Sequence, residues 1–317
     1  MRIFQNANYN FIKWRWHALI VSLVVIWAGV ATIFVRGGLP LGIDFTGGTV
    51  VTLEFSKPVG EDAVRNALGN LGSDAVVQRL VSSDPSKTDI MIRMPLTPGQ
   101  QANLDQDAAR IVALIRAANL GDFIPLKSDI VGPTVGADLQ RKGIWATVAS
   151  LGGILIYVAF RFRLTFAIGA IVATFHDILI TLVLLTWFHY DLSLNVIAAI
   201  LTIAGYSVND TIVVFDRVRE NQRAARREPL DQVVNRSVNQ TLGRTIITSG
   251  TTFLAVFALY LFGGEVLRGF AFTMIVGIIT GTYSTVFIAA AIAIILSRRT
   301  PPTQVGVRAA EARRRRA

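Results

Sequence analysis

Two stretches of this 317-residue chain set ionisable side chains inside apolar sequence: Gly205-Tyr-Ser-Val-Asn-Asp210 and Asn239-Gln-Thr-Leu-Gly-Arg244. An ionisable residue in a membrane span is costly to keep, so its default reading is functional. Asp210 offers a carboxylate that can bind and release a proton. Arg244 opens the next apolar segment at a similar depth and is the partner the sequence nominates. Burial and a neighbouring guanidinium act on a carboxyl group in opposite directions. A pair balanced that way could relay protons as helices move or water enters. The same two residues could instead form a static buried ion pair that fixes helix register.

On a helix over 192–214 at about 100° per residue, Tyr206 lies about 40° from Asp210, Asn195 about 60°, Thr202 about 80°, and Ser207 about 60° the other way. Val208 and Leu201 fall near the opposite face. The expectation is a polar stripe that lines a pathway, with a lipid-compatible face behind it. Asn209 is grouped with this stripe, as are Thr248, Thr251 and Thr252, the last three on one face with Arg244. The segment is centred on residue 203, so Asp210 sits about 10 Å from the midplane. A third segment carries His176-Asp177. Asp177 joins the supporting polar set, on a face with the small residues Gly169 and Ala173. Helix neighbours point about 100° apart, so His176 is expected to pack or hydrogen-bond without necessarily acting with Asp177. In the last segment Thr273, Gly277, Gly281 and Ser284 form a small-residue stripe suited to helix contact.

The elements that must hold these groups are mostly membrane helices. The chain is 52% hydrophobic and only 16% charged, against about 25% charged in a soluble domain. A first apolar segment runs from His17 to Val35, and a bilayer takes about 20 residues to cross. It exceeds the roughly 7–15-residue core of a cleaved signal peptide and lacks an Ala-x-Ala site, so an uncleaved anchor is expected. Further spans are expected at 143–160, 165–187, 192–214, 246–262 and 266–296. Residues 36–142 read as a soluble domain. Thr49–Phe55, Ala75–Val81, Asp89–Met94 and Ile124–Val131 have strand character, and Gly60–Leu71 and Gln100–Ala118 helical spacing. Strand, helix, strand, strand, helix, strand is the ferredoxin-like order.

Orientation follows from Lys and Arg. The first 16 residues hold Arg2, Lys13 and Arg15, and the turn at 161–164 holds Arg161 and Arg163. A loop expected at 215–245 holds seven arginines, and the tail 298–317 holds seven more. The alternate turns, 188–191 and 263–265, hold neither Lys nor Arg. The basic segments therefore share one side, which the positive-inside rule makes the cytoplasm, with both termini there and the 36–142 domain outside. Attraction to anionic lipid fits the same arginines. Nucleic acid does not, because no stacking aromatics accompany the tail.

Several chemistries find no support. There is no cysteine, and only His17, His176 and His189 among imidazoles. No phosphate-binding loop, nucleophile elbow or His-Glu-x-x-His helix occurs. Neither an enzyme, a metal nor a cofactor is called for, and any work done draws on an ion gradient or another subunit.

Gly42-Ile-Asp-Phe-Thr-Gly-Gly48 after the first span, His176-Asp177, and Gly205 to Asp210 running into Val214-Phe-Asp-Arg-Val-Arg-Glu-Asn221 form a long, specific set. With Asn239 to Thr245 and Thr248-Ser-Gly-Thr-Thr252, they resemble the SecD/SecF family over nearly the whole chain. The resemblance implies a polytopic α-helical membrane protein of six transmembrane helices, the RND-type half, with one exterior α+β ferredoxin-like domain between the first and second spans. It implies a subunit of the SecD–SecF accessory complex of the bacterial inner membrane. That complex uses the proton gradient to promote late steps of Sec-dependent protein export. Implied partners are SecD, the SecYEG translocon, YajC and the translocating polypeptide. Asp210 and Arg244 then match the proton pathway. Gly42, Asp44, Gly47 and Gly48 fit a tight turn where the chain leaves the membrane, since glycine permits φ > 0. An RND-type proton-coupled exporter of small molecules or lipids is the alternative, although one chain supplies only half of such a transporter. A passive scaffold, with Asp210 and Arg244 as a structural pair, is a third reading.

Overall fold

A computed structural model describes residues 7–69, 71, 75–80, 86–95, 104–225 and 228–299. Val81, the first residues of the helix expected over Gln100–Ala118, Arg226, Arg227 and the tail from 300 lie outside the described residues.

A single 3-10 turn, Phe11–Trp14, leads into α1 (Arg15–Val35) and then the one-turn α2 (Ile43–Thr46). There follow β1 (Gly48–Phe55), α3 (Glu61–Ala67), β2 (Val76–Leu80), β3 (Thr88–Pro95), α4 (Leu104–Ala117) and β4 (Phe123–Val131). These strands make one antiparallel sheet in the order β2-β3-β1-β4, the arrangement of a ferredoxin-like fold. Alternation along the strands sends Val51, Leu53, Phe55, Val77, Ile90 and Ile92 to one face, where they pack with Val64, Leu68, Ile111 and Ile115. Burying each such side chain contributes about 1.5–3 kcal/mol. Pro125, which has no amide hydrogen to donate, is tolerated because β4 is an edge strand.

The rest is helical: α5 (Pro133–Arg161), α6 (Leu164–Trp187), α7 (Leu194–Ala224), α8 (Leu230–Phe262), and a last span of α9 (Gly264–Ser284), a π-helical turn at Thr285–Ala289 and α10 (Ala290–Arg299). Among the described residues six helices are long and apolar enough to cross a membrane. The most apolar stretches of α6, α7 and the last span are 56%, 50% and 61% buried, against 11%, 11% and 17% for the first span, α5 and α8. The first three therefore form the inner layer, and the others flank it.

Two expectations need correction. Residues 215–245 are not a loop: α7 continues to Ala224 and α8 begins at Leu230. The cause is a buried apolar seam inside this basic stretch, where Val214, Phe215 and Val218 pack with Val233, Val234 and Val238. Likewise α5 starts at Pro133, within the range expected for the soluble domain, because Pro favours the first helical position.

Candidate functional site

Close packing of α7 on α9 sets up the interior. A Cβ on Gly277 would stand 2.2 Å from Ile203 Cδ1, and one on Gly281 would stand 3.1 Å from Ser207 Cβ. Gly169 on α6 is equally tight, at 2.8 Å from the carbonyl oxygen of Ala289 in the π-helical turn. The small-residue stripe is thus a contact surface, and it brings short hydroxyl side chains next to two carboxylates.

The first is Asp210, 9% exposed. Its Oδ1 accepts a 2.7 Å hydrogen bond from the Thr245 hydroxyl. Its Oδ2 is buried with no hydrogen-bond partner among the described residues. Thr285 flanks the carboxylate, but its hydroxyl is engaged with Gly281 O and Thr211 Oγ1, both at 3.0 Å. Asp210 and Arg244, which the sequence nominates as partners, form no ion pair: no contact within 4.0 Å joins them. Arg244 is exposed and acts on Asp210 only through space. The reason is rotational. The face of α8 turned toward α7 is the i, i+4 series Thr241, Thr245, Ser249, all buried, and Arg244 lies about 100° round from Thr245.

The second carboxylate is Asp177, which is fully buried. Its Oδ2 accepts from Ser207 Oγ at 2.5 Å and Ser284 Oγ at 2.7 Å, and its Oδ1 lies 2.9 Å from His176 Nδ1. One carboxylate thereby ties α6, α7 and α9 together. Sequence spacing does not require His176 and Asp177 to act together, yet their side chains meet. His176 stacks on Tyr283, whose hydroxyl donates to Ala18 O on α1 at 2.7 Å. His176 Nε2 is buried and has no partner among the described residues.

The polar stripe divides. Ser207 and Tyr206 face inward, the latter donating to Ser249 Oγ at 3.3 Å. Asn195, Thr202 and Asn209 are exposed on the chain's outer surface, while Val208, expected toward lipid, is buried in the core. Thr248 and Thr251 are also exposed, and with Thr252 they bond backbone carbonyls of their own helix. The projection was centred on Asp210, but α7 packs α9 through Ala199, Ile203 and Ser207, which turns the remaining polar residues outward. Thr245, Thr211 and Thr285, which line the Asp210 site, lie outside the polar stripe that the sequence suggests. The four-residue repeat Thr241, Thr245, Ser249 was the signal that could have found the first.

At the other end of the bundle the Gly-rich stretch anchors the sheet domain. Gly47 and Gly48 have φ of 69° and 128°, where a side chain would be strained. Gly42 N donates to Leu192 O at 2.9 Å, and Asp44 Oδ2 accepts from Leu194 N at 2.8 Å, which helps cap α7. Arg93 on β3 donates to Leu41 O at 2.9 Å and to Asp191 Oδ1 at 2.7 Å. Burial pushes the Asp191 carboxyl above its ordinary value, with Arg93 opposing it.

Six spans, a ferredoxin-like domain inserted after the first, and two carboxylates buried between inner helices define a multi-pass membrane protein with ionisable groups in its bundle. Residues 113–299 match the family model for the C-terminal part of the protein export membrane proteins SecD/SecF, and residues 32–59 match the SecD/SecF GG motif. The protein translocase subunit SecF of Rhodothermus marinus is 43% identical, over 94% of this chain and 96% of that protein. The same-named subunit of Escherichia coli O157:H7 is 39% identical, over 92% and 88%. A crystal structure of SecDF from Thermus thermophilus, a translocon-associated membrane protein, aligns with a TM-score of 0.81 at 36% identity. It is matched over 94% of this chain, which spans 40% of that longer chain. The chain belongs to the SecD/SecF family.

Proposed function

We propose that this protein is the half of a SecD–SecF complex that carries one carboxylate of a proton path, and that the complex uses the proton gradient to promote late steps of protein export across the bacterial inner membrane. The observation that carries this reading is Asp210: buried, with one oxygen anchored by Thr245 and the other without a donor. A carboxyl held that way can accept a proton at Oδ2 while Thr245 keeps it oriented. Arg244, close but unpaired, supplies a positive charge whose influence changes when α8 moves against α7.

The outward residues support a second half. Asn195, Thr202, Asn209, Arg244, Thr248 and Thr251 are exposed on α7 and α8. Polar side chains at membrane depth usually face another helix or a wet cavity, so SecD is the partner that would cover them. The arginine distribution supports a topology with both termini in the cytoplasm and the sheet domain in the periplasm, where that domain would meet emerging polypeptide or support SecD. SecYEG and YajC are the further partners in this reading.

Co-isolation from native membranes through a tag on this chain is the test. Recovery of SecD together with SecYEG is expected. Recovery with neither, or with components of a solute exporter, would overturn the assignment.

A further inference from the structure

A cleft of about 670 Å³ opens at the end of the bundle opposite the sheet domain, between the α5–α6 turn and the last turns of α7. Arg161, Arg163, Arg219 and Arg223 line it, over a floor that includes Phe166 and Phe215. The acidic groups nearby are already engaged. Asp216 accepts from Arg161 at 2.7 Å, Glu220 from Arg217 at 2.7 Å, and Glu228 from Arg236 at 2.8 Å. Arg163, Arg219 and Arg223 are exposed, and none forms an ion pair with a described carboxylate. Arg219 and Arg223 stand four apart on one helix, a spacing at which like charges repel. The first turn of α6, with Arg163 as N-cap and no side-chain cap, adds free N–H groups at the same rim.

The depth of the cleft identifies its ligand. If α7 enters the bilayer at Leu194, about 20 residues carry it to the far hydrocarbon boundary near Val214. Arg219 then stands about 8 Å beyond that boundary, in a headgroup layer about 5–8 Å thick. The Arg161–Asp216 bridge holds the α5–α6 turn at that same level. On the lipid side, Phe160 is 90% and Leu164 73% exposed, in reach of acyl chains.

We infer that this cleft binds the phosphodiester headgroup of an anionic phospholipid of the cytoplasmic leaflet, with the two phosphates of diphosphatidylglycerol the best match to three unpaired guanidiniums. Arginine's planar fork suits bidentate contact with phosphate oxygens. Occupancy neutralises Arg219 and Arg223 and ties the end of α7 to the α5–α6 turn.

The test is native mass spectrometry of the full chain, purified with whatever subunits accompany it, titrated with diphosphatidylglycerol, phosphatidylethanolamine or inorganic phosphate. Arg163→Gln with Arg219→Gln is compared with Lys13→Gln with Arg15→Gln, which removes equal charge at the same end without freeing a carboxylate beside the cleft. Diphosphatidylglycerol affinity is expected to fall about tenfold or more in the first variant and to change little in the second. Equal losses in both variants would reduce the effect to non-specific charge and overturn the site. Full displacement of the lipid by millimolar phosphate would overturn the lipid assignment in favour of a free-anion site. Circular dichroism matching wild type checks that the first variant folds; unchanged affinity in that folded variant, or in Arg223→Gln alone, contradicts the site.

Discussion

Thr245 donates a 2.7 Å hydrogen bond to Asp210, while Arg244, its neighbour on α8, makes no ion pair with that carboxylate. The hydroxyl, not the guanidinium, holds the acid in place. Thr245→Val should therefore reduce gradient-driven release of exported protein by about tenfold or more, since a hydrogen bond to a charged group is worth about 1.5–3 kcal/mol. Thr245→Ser should retain most activity. Release assays in inverted membrane vesicles separate the two.

The absence of an Asp210–Arg244 bridge makes a further expectation. Exchanging the charges, Asp210→Arg with Arg244→Asp, should not restore release, because the two side chains do not occupy equivalent surroundings: one is buried and the other exposed. Recovery of activity in the exchanged protein would favour a structural pair.

Asp177 is a structural knot whatever its part in proton movement. Asp177→Leu would leave Ser207 and His176 Nδ1 without their acceptor, while Ser284 keeps the Gly281 carbonyl. Leaving buried polar groups unsatisfied costs about 1–3 kcal/mol each, so thermal unfolding in detergent should shift down by several degrees. Ser207→Ala alone removes one of three contacts and should cost clearly less. Equal melting temperatures for the two variants would contradict the geometry.

The architecture was legible because its signals are long: apolar runs of bilayer length and strand alternation. The site was only partly so. A helical projection gives angles around one axis, but which angle faces inward depends on the neighbours. Ile203 against Gly277 sets the rotation of α7, and that contact lies far apart in sequence. Asn195, Thr202 and Asn209 were therefore grouped with Asp210 when they face outward. The helical ends of 215–245 were hidden for another reason: seven arginines mask the valines that bury there. The sequence leaves the contact between His176 and Asp177 open because a backbone angle does not fix a side-chain rotamer.

Burial of Asp191 at the contact between sheet and bundle should make docking of the sheet domain depend on pH. Burial raises the docked Asp191 carboxyl above 3.8, its ordinary value, so the docked state holds its proton more tightly than the undocked one. Docking is then favoured below that ordinary value and weakens as pH rises through the raised one. Spin-label distances between sheet and bundle should lengthen or broaden over that window. Asp191→Asn should remove the dependence, and Arg93→Ala should loosen docking most at neutral pH, where the carboxylate is left uncompensated.

Packing of the inner helices gives a cleaner contrast. Gly277→Ala meets the Ile203 side chain, and Gly169→Ala meets the Ala289 carbonyl. Overpacking costs about 1–3 kcal/mol. Ile203→Ala should rescue the first substitution in thermal melts, whereas no side-chain truncation at residue 289 can rescue the second, because the obstacle there is backbone.

The central claim is that Asp210 passes protons that drive release of exported protein. The direct measurement is release in vesicles carrying Asp210→Asn, with assembly of the complex confirmed, in the presence and absence of a proton gradient. Asn keeps the shape and can accept the Thr245 hydrogen bond but cannot carry the proton. Release should fall to the gradient-free level and no longer respond to the gradient. Full gradient dependence in the assembled Asp210→Asn complex would contradict the claim.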